Sequence, residues 1–255
     1  MNIYWFEQTE AHVPVDNDWL SAGEILRLRD LRFAKRRADW RLGRWTAKSA
    51  VASYLRLSDE ILPLAEIEIR PAPSGAPEVF FGNDPARITM SLTHRDGIAA
   101  CAVTGQKVLL GCDLEIVEPH SDAFIADYFT AEEQALLAHS DDKNLLSALL
   151  WSAKESALKA LHAGLRLDTR CLVVRPSDCS APVPPATRWN TLRVRYKSAR
   201  VFNGWWQQAG KLVRTVVSHP AAPPPTFLSD HRCSGAALEE TTETLHPKSA
   251  AVSPA

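Results

Sequence analysis

Apolar positions along the chain follow two different periods, and together they predict a protein with both strands and helices. Short runs rich in Val, Ile and Leu indicate strands, whereas apolar residues at every third or fourth position indicate helices. Strands are predicted near Asn2 to Phe6, around Ile67, in a three-stranded meander ending at Val117, and at Cys171 to Arg175, Leu192 to Tyr196, Gly204 to Gln208 and Lys211 to Val217. Helices are predicted from about Ser21 to Tyr54, Thr130 to Ala138 and Asn144 to Ala163.

The predicted strand from Lys107 to Val117 carries two acids at alternate positions. Because alternate side chains of a strand share a face, Asp113 and Glu115 are expected to point the same way. Gly111 lies on that face and would leave room for an approaching phosphate. Two carboxylates beside an open spot suit Mg²⁺. For an isolated pair of this kind, however, two solvated acids at a strand edge are the commoner explanation.

The predicted helix from Asn144 to Ala163 favours a binding site over two solvated acids. Its apolar stripe consists of Leu146, Leu149, Leu150, Ala153, Ala157, Ala160 and Leu161. Gly164 stands where a glycine would end the helix. On the opposite side, Trp151, Glu155 and Lys159 recur every four residues and form one ridge. A Glu/Lys pair at this spacing is usually a surface pair, but the Trp on the same ridge indicates that this face packs against or binds something.

Length and composition set further bounds. A chain of 255 residues with 45% hydrophobic content can bury a core in one or two subdomains. Its first ten residues lack a leader pattern and no apolar run approaches membrane-spanning length, so a cytoplasmic protein is expected. Five cysteines without a C-x-x-C pair favour free thiols. Beyond His219 the composition shifts to Pro, Ala, Ser and Thr, and residues 219–255 are therefore expected to form a disordered tail.

Three segments together resemble a known family. Gly111 to Glu115 reads G-x-D-x-E, and Trp151 to Lys159 reads W-x-x-K-E-[SA]-x-x-K. Both motifs are similar to those of the Sfp type of 4′-phosphopantetheinyl transferases, and Ser91 to His94 looks like the family's S-x-S-H segment. The resemblance covers roughly residues 1 to 218. It implies an α+β fold of two similar α/β halves related by a pseudo-twofold, residues 1–106 and 107–218, with the active site between them.

The resemblance also implies an activity. Such enzymes transfer 4′-phosphopantetheine from coenzyme A to a serine of an acyl- or peptidyl-carrier protein and release adenosine 3′,5′-bisphosphate. By analogy, Asp113, Glu115 and Glu155 hold Mg²⁺. Lys159 would reach the pyrophosphate, and Glu155 is the first candidate for the base that accepts the serine proton. Glu133 resembles a further family acid, but Thr130 followed by Glu133 is equally a capping box that opens a helix.

Coenzyme A contacts are expected mainly from the N-terminal half. The predicted contacts are Arg27, Arg44, Arg70, Thr93, His94, Lys154 and Lys159. Arg27 and Arg44 belong to a run of basic residues between Arg27 and Lys48, which in this family reads the 3′-phosphate. Arg29 is the alternative to Arg27 if the register is shifted. Ala76 stands where many members carry a lysine, so that loop supplies no cation here.

A short internal echo, in which part of the sequence is repeated, agrees with two related halves, since Arg44 to Val51 resembles Leu150 to Leu158 if one residue is skipped. We expect a monomer whose partners are coenzyme A and a carrier domain of a synthase that makes secondary metabolites. Two rival functions remain open at this stage. A pyrophosphohydrolase acting on coenzyme A or nucleotides would use the same metal chemistry with water as nucleophile, and an RNA-binding protein would use the basic run instead.

Overall fold

The computed structural model describes residues 1–57, 62–177, 188–197 and 200–229, and twelve strands and five α-helices lie within them. The strands are β1 (Tyr4–Thr9), β2 (Ile67–Pro71), β3 (Pro77–Phe81), β4 (Asp84–Pro85), β5 (Thr89–Arg95), β6 (Ile98–Thr104), β7 (Leu109–Ile116), β8 (Leu172–Pro176), β9 (Asn190–Tyr196), β10 (Arg200–Ala209), β11 (Leu212–His219) and β12 (Thr226–Phe227). The helices are α1 (Ala22–Asp30), α2 (Ala34–Leu55), α3 (Asp122–Tyr128), α4 (Ala131–Ala138) and α5 (Lys143–Ala160). The predicted α+β class is therefore confirmed.

The strands of the described residues form three sheets. One has the order β12-β1-β6-β5, a second β7-β11-β10-β9-β8, and a third β2-β3-β4. Helix α2 packs on β1 and β6 of the first sheet, and α5 packs on β7 and β11 of the second. Each of these two larger sheets therefore has one long helix packed across an antiparallel pair of strands, β1 with β6 in the first sheet and β7 with β11 in the second.

The order of elements repeats along the chain. If the short elements β4 and α3 are left out, the first half runs β1, α1, α2, β2, β3, β5 and β6, and the second runs β7, α4, α5, β8, β9, β10 and β11. In both halves the first strand pairs antiparallel with the last, and the last forms a hairpin with the strand before it. This repetition supports our proposal that residues 1–106 and 107–218 are related units.

Each half has its own apolar core, and a third core joins them. Leu149, Leu158 and Phe202 represent the core between α5 and its sheet. The core under α2 likewise gathers side chains from α2 and from β1, β2 and β6. The joining core packs Trp5 of β1, and Ile3 just before that strand, against apolar side chains of β7 and β11. The two large sheets thus pack on each other through the faces that their own helices leave uncovered.

A buried lysine–glutamate pair occurs at the same place in each half. In the second half, Lys154 of α5 lies 2.8 Å from Glu133 Oε2, with both side chains at 0% exposure. Glu133 accepts the Thr130 backbone N–H at the start of α4, and its other oxygen accepts the backbone N–H of Val174 in β8. The lysine therefore connects two helices and a strand at one buried carboxylate.

The equivalent pair in the first half is Lys48 of α2 and Glu24 of α1, which form a buried ion pair. Glu24 accepts the backbone N–H of Ser21 at the start of α1 and that of Ile69 in β2. Lys48 and Lys154 occupy matching positions in the echoed segments. The repeated segment therefore corresponds to a buried lysine–glutamate pair that anchors the long helix of each half.

Several predicted elements differ from the structure. The expected helix from Ser21 to Tyr54 is broken between α1 and α2, where the Arg37 guanidinium donates to the carbonyls of Leu31 and Arg32 and satisfies the backbone at the end of α1. The expected meander is also wrong, because β7 leaves β5 and β6 and pairs with β11. Helix α5 ends at Ala160, before the predicted Ala163.

The sequence patterns did not predict β3, β4, α3 or β12, because these elements are short and have no clear period. Cys101, Cys112 and Cys171 are free thiols, as expected, and the other two cysteines lie outside the described residues. Across the described ranges, none of the helices combines the length and apolar character needed to cross a membrane.

The predicted start of a disordered tail at residue 219 is wrong. The Thr226 N–H donates to the Ile3 carbonyl at 3.0 Å and that of Leu228 to the Trp5 carbonyl at 2.8 Å, so β12 runs parallel to β1. Phe227 stacks on Trp189 with ring centroids 5.7 Å apart. Residues 220–229 therefore cover the edge of the N-terminal sheet. The remainder of the predicted tail, residues 230–255, lies outside the described residues.

Shortening the chain to end at residue 219 is expected to lower its stability relative to a chain that ends at residue 229. The shorter chain loses the two backbone hydrogen bonds of β12 and the stacking of Phe227, together worth about 2 to 4 kcal/mol. Urea unfolding of the two truncated proteins measures the difference. Equal unfolding midpoints would show that β12 contributes nothing to the fold.

Candidate active site

Strand β7 and helix α5 bring the predicted acids together at the joint between the halves. Asp113 of β7 is paired in register with Thr215 of β11. The Thr215 hydroxyl forms 2.8 Å hydrogen bonds with the hydroxyls of Ser152 and Ser156 on α5. Because paired residues on adjacent strands share a face, the Asp113 side chain is on the α5 side of the sheet. The acids of β7 therefore face the helix that carries Glu155.

The expected role of Gly111 is wrong. A Cβ at this position would lie 1.8 Å from the Ser156 carbonyl oxygen and 2.7 Å from the Ala160 nitrogen. Gly111 therefore lies against the backbone of α5 and leaves no gap for a phosphate. Its lack of a side chain allows the helix to approach β7 closely.

The two oxygens of Asp113 have different surroundings. Oδ1 accepts hydrogen bonds from Lys159 Nζ at 2.7 Å and from the Thr93 hydroxyl at 2.9 Å. Oδ2 is buried and has no hydrogen-bond partner. Lys159 also donates to the Cys112 carbonyl at 3.1 Å. One carboxylate oxygen is thus fully engaged while the other is available to a ligand that donates or carries positive charge.

Glu115 and Glu155 complete a concentration of negative charge. Burial raises the pKa of Glu115 to about 7, reinforced by the charge of Asp113, and Arg95 and a hydrogen bond from Trp151 oppose the shift. Burial also raises the pKa of Glu155, again with Asp113 adding to the effect and Lys159 opposing it. Asp113 therefore lies near enough to disfavour the ionisation of both Glu115 and Glu155, a situation that a bound cation relieves.

The site fits a divalent cation chemically, although it does not form a finished coordination shell. Asp113 Oδ2 lacks a partner, and hard carboxylate oxygens are the ligands that Mg²⁺ prefers. In the part of the chain that is described, no three His, Cys, Asp or Glu side chains stand close enough together to hold a metal ion as they are. The assignment of the metal to Asp113, Glu115 and Glu155 is therefore a proposal.

The predicted ridge on α5 is present. Trp151, Glu155 and Lys159 are partly exposed, whereas every other residue from position 152 to position 160 is buried. Burial lowers the pKa of Lys159, but the combined effects of Asp113, Cys112 and Glu155 outweigh burial, and the pKa is raised. The Lys159 ammonium therefore stays charged beside the carboxylates. Its side chain keeps 29% exposure, which leaves it accessible to an incoming phosphate.

Two predicted roles are corrected by burial. Lys154 is fully buried and donates to the Thr169 and Leu172 carbonyls besides its pairing with Glu133, so it has no ammonium hydrogen left for coenzyme A. Glu133 is also fully buried and cannot reach a carrier serine as a base. The capping box with Thr130, weighed as the alternative for Glu133, is confirmed.

The predicted 3′-phosphate contacts form a charged cluster in the first half. Arg44 lies 3.7 Å from Glu24 and stacks over Trp40 at 5.1 Å, and burial lowers its pKa. Arg27 is exposed, and its charge contributes to the same lowering. Arg70 forms a 2.8 Å ion pair with Glu68, whose charge in turn acts on Arg44. Arg27 and Glu68 therefore both lie near enough to act on Arg44, and acids pair with Arg44 and Arg70.

Much of the surrounding basic run has structural roles. Arg37 caps α1, Lys48 is buried, and the Arg41 guanidinium donates to loop carbonyls, among them Asp16 at 2.9 Å. The run therefore does not present a continuous free cationic stripe, which weakens the RNA-binding alternative.

Thr93 and His94 lie side by side near the end of β5 but have opposite environments. His94 is exposed, which suits the predicted phosphate contact. Thr93 is buried, and its hydroxyl hydrogen is directed at Asp113. A hydroxyl has a single hydrogen to donate, so Thr93 as placed cannot also donate to a phosphate. The predicted coenzyme A contact is therefore not supported for Thr93.

Sequence reasoning missed two residues beside the carboxylates. Arg95 Nε lies 3.5 Å from Glu115 Oε2, and Arg95 also pairs with Glu118 at 2.7 Å. Trp151 was noticed only as part of the ridge, but it donates a hydrogen bond to Glu115. No local signal marked Arg95, because its contact with β7 arises from the packing of the two halves.

Comparison with known proteins agrees with this geometry. Residues 109–203 match the family model described as the 4′-phosphopantetheinyl transferase superfamily, and this segment contains β7 and α5. This segment of the chain is therefore similar to the 4′-phosphopantetheinyl transferase superfamily. The expected resemblance is thereby confirmed at the level of the superfamily, and its Sfp-type branch remains a proposal.

Among solved structures, the chain is similar to holo-[acyl-carrier-protein] synthase of Helicobacter pylori, determined in complex with coenzyme A. The identity is 19%, the TM-score is 0.32, and the similarity covers 40% of this chain and 97% of that chain. This likeness is too weak to place any residue of the site. A search of curated protein sequences finds no match.

Replacing Lys154 with Met is expected to destabilise the protein by about 3 to 5 kcal/mol, because it leaves the Glu133 carboxylate buried without its cation. Urea unfolding measures the loss, and Lys143→Met, an exposed position on the same helix, is the control. A Lys154→Met protein of unchanged stability but raised KM for coenzyme A would instead support the predicted contact between Lys154 and coenzyme A.

Proposed function

We propose that the chain is an Sfp-type, magnesium-dependent enzyme that transfers 4′-phosphopantetheine from coenzyme A to a carrier-protein serine and releases adenosine 3′,5′-bisphosphate. The match of residues 109–203 to the 4′-phosphopantetheinyl transferase superfamily model supports the transfer itself. The observation that carries the metal-dependent form is the group of Asp113, Glu115 and Glu155, with an unpartnered buried oxygen on Asp113. Carrier domains of peptide and polyketide synthases are the acceptors that fit this branch of the family.

In this proposal Asp113, Glu115 and Glu155 hold the metal. When bound, Mg²⁺ would neutralise negative charge on the pyrophosphate oxygens of coenzyme A. Lys159 contributes a second, fixed positive charge beside Asp113, at a partly exposed position. Charge that develops on the departing phosphate is therefore met by a group already in place, which stabilises the transition state more than the ground state.

Glu155 is the proposed base. The attacking serine hydroxyl is a weak acid and must lose its proton as the new phosphate ester bond forms. A carboxylate at this position can accept that proton. Burial and the nearby Asp113 raise the pKa of Glu155 while no cation is bound. Glu155 is also partly exposed on the ridge, so that a carrier serine can approach it.

Binding of coenzyme A is assigned chiefly to the first half. Arg27, Arg44 and Arg70 provide the cluster of positive charge proposed to read the 3′-phosphate, and exposed His94 extends it. Glu24 and Glu68 already pair with two of these arginines, so a phosphate has to compete with them. The second half would then supply the metal and the base, which is the division of labour expected of the two halves.

A carrier-labelling assay tests the proposal. The purified protein is incubated with coenzyme A, Mg²⁺ and carrier domains from peptide, polyketide and fatty-acid systems, and each carrier is weighed. We expect one or more carriers to gain the mass of phosphopantetheine, and chelation of the metal to abolish the gain. Cleavage of coenzyme A without carrier labelling would instead identify a pyrophosphohydrolase.

Glu155→Ala is expected to lower turnover in this assay by roughly 100-fold or more, since it removes both a metal ligand and the base. Glu132→Ala, which removes an exposed acid of α4 in the same half, serves as the matched control and should retain activity. Near-normal turnover of the Glu155→Ala protein would exclude its role in the site.

Arg44→Ala is expected to reduce the preference for coenzyme A over dephospho-coenzyme A, mainly through KM. The 3′-phosphate lies away from the bond being broken, so its contacts bind ground and transition states alike. A charge-assisted contact contributes about 1.5–3 kcal/mol, or roughly one to two decades in affinity. Both substrates are compared on the wild type, on Arg44→Ala and on the control Arg193→Ala, an exposed arginine of β9. An unchanged preference in Arg44→Ala would move the 3′-phosphate site elsewhere.

A further inference from the structure

Strand β5 of the first half lies beside β7 of the second, and two side chains of β5 bond to β7. The Ser91 hydroxyl accepts the Cys112 backbone N–H at 3.0 Å. Two residues further along, the Thr93 hydroxyl donates to Asp113 Oδ1 at 2.9 Å. Ser91 thus holds the backbone of β7, whereas Thr93 holds the carboxylate of a proposed metal ligand.

The hydrogen bonds at Asp113 are arranged asymmetrically. Thr93 and Lys159 both donate to Oδ1, and they come from different halves of the molecule. Oδ2 is buried and unpartnered, although a buried carboxylate oxygen ordinarily finds a donor. Two donors on one oxygen restrict rotation of the carboxylate about its axis. Oδ2 is thereby kept directed at a place where nothing in the chain satisfies it.

We infer that Thr93 is a positioning residue of the metal site, which orients Asp113 so that Oδ2 can bind the cation, and that it does not contact coenzyme A. This inference rests on the proposed function for the presence of the metal. Partners that orient a ligating carboxylate contribute to metal affinity without touching the metal. The first half therefore takes part in the metal site through one hydroxyl, in addition to its proposed contacts with coenzyme A.

Direct metal binding tests this role without relying on turnover. Mn²⁺, which takes the same oxygen ligands as Mg²⁺, is titrated into the protein in the absence of coenzyme A and followed by electron paramagnetic resonance. Thr93→Val keeps the shape of the side chain but removes the hydroxyl, and we expect it to weaken Mn²⁺ binding by roughly 10- to 100-fold. Thr93→Ser restores a hydroxyl and is expected to restore most of the affinity.

Ser91→Ala is the matched control, because it removes a hydroxyl that joins β5 to β7 but does not touch a carboxylate. It is expected to lower the melting temperature while leaving Mn²⁺ affinity within about threefold of the wild type. If Thr93→Val fails to fold, Thr93→Ala is measured in its place. A loss of Mn²⁺ affinity that is equal in the Ser91 and Thr93 variants would reduce Thr93 to a structural role.

The contrasting interpretation of Thr93 is a phosphate contact, and it has its own signature. A phosphate contact would leave Mn²⁺ affinity unchanged in Thr93→Val and would alter the ratio of KM values for coenzyme A and dephospho-coenzyme A. Our inference requires the opposite pattern, with weakened Mn²⁺ binding and an unchanged ratio. A wild type that binds Mn²⁺ but labels no carrier would overturn the proposed function and leave the role of Thr93 standing. A wild type that does not bind Mn²⁺ would overturn the inference.

Discussion

The buried ion pair between Lys154 and Glu133 is the interaction on which the active half depends. Taking two charges out of water is costly, and the pair is retained only because each remaining donor and acceptor has a partner. Lys154 donates to two carbonyls, while Glu133 receives N–H groups from the start of α4 and from β8. With α5 held by this lysine, the next residue along the helix, Glu155, is turned to the partly exposed ridge beside β7.

The first half contains the same kind of buried lysine–glutamate pair, but a different residue follows its lysine. Lys48 and Glu24 anchor α2 as Lys154 and Glu133 anchor α5, but Lys48 is followed by Ser49, where Lys154 is followed by Glu155. A serine offers no charge to a cation, so only the second half can contribute a carboxylate from its long helix. The two halves share an internal scaffold, and Glu155, which has no acidic counterpart after Lys48, distinguishes the proposed metal site from the proposed phosphate site.

Strand β7 connects the packing between the two halves with the geometry of the proposed metal site. It belongs to the second sheet by hydrogen bonding, yet Leu110, Cys112 and Leu114 pack against β1 in the core that joins the halves. Its other face carries Asp113, whose carboxylate is held by Lys159 from its own half and Thr93 from the other. Movement of one half relative to the other would therefore disturb the proposed metal ligand directly.

The amino-acid sequence predicts the elements with a clear period, the position of Asp113 and Glu115 on one face of a strand, and the ridge of Trp151, Glu155 and Lys159, because these depend on local geometry. It did not distinguish Lys154 from a ligand contact or show that Gly111 lies against a helix. Those outcomes depend on which segments meet in space. Three further features arise from contacts between distant segments: β7 pairs with β11, residues 226–228 lie along β1, and Thr93 gives its one hydrogen to Asp113. They could not be predicted, because long-range hydrogen bonds leave no periodic pattern in the sequence.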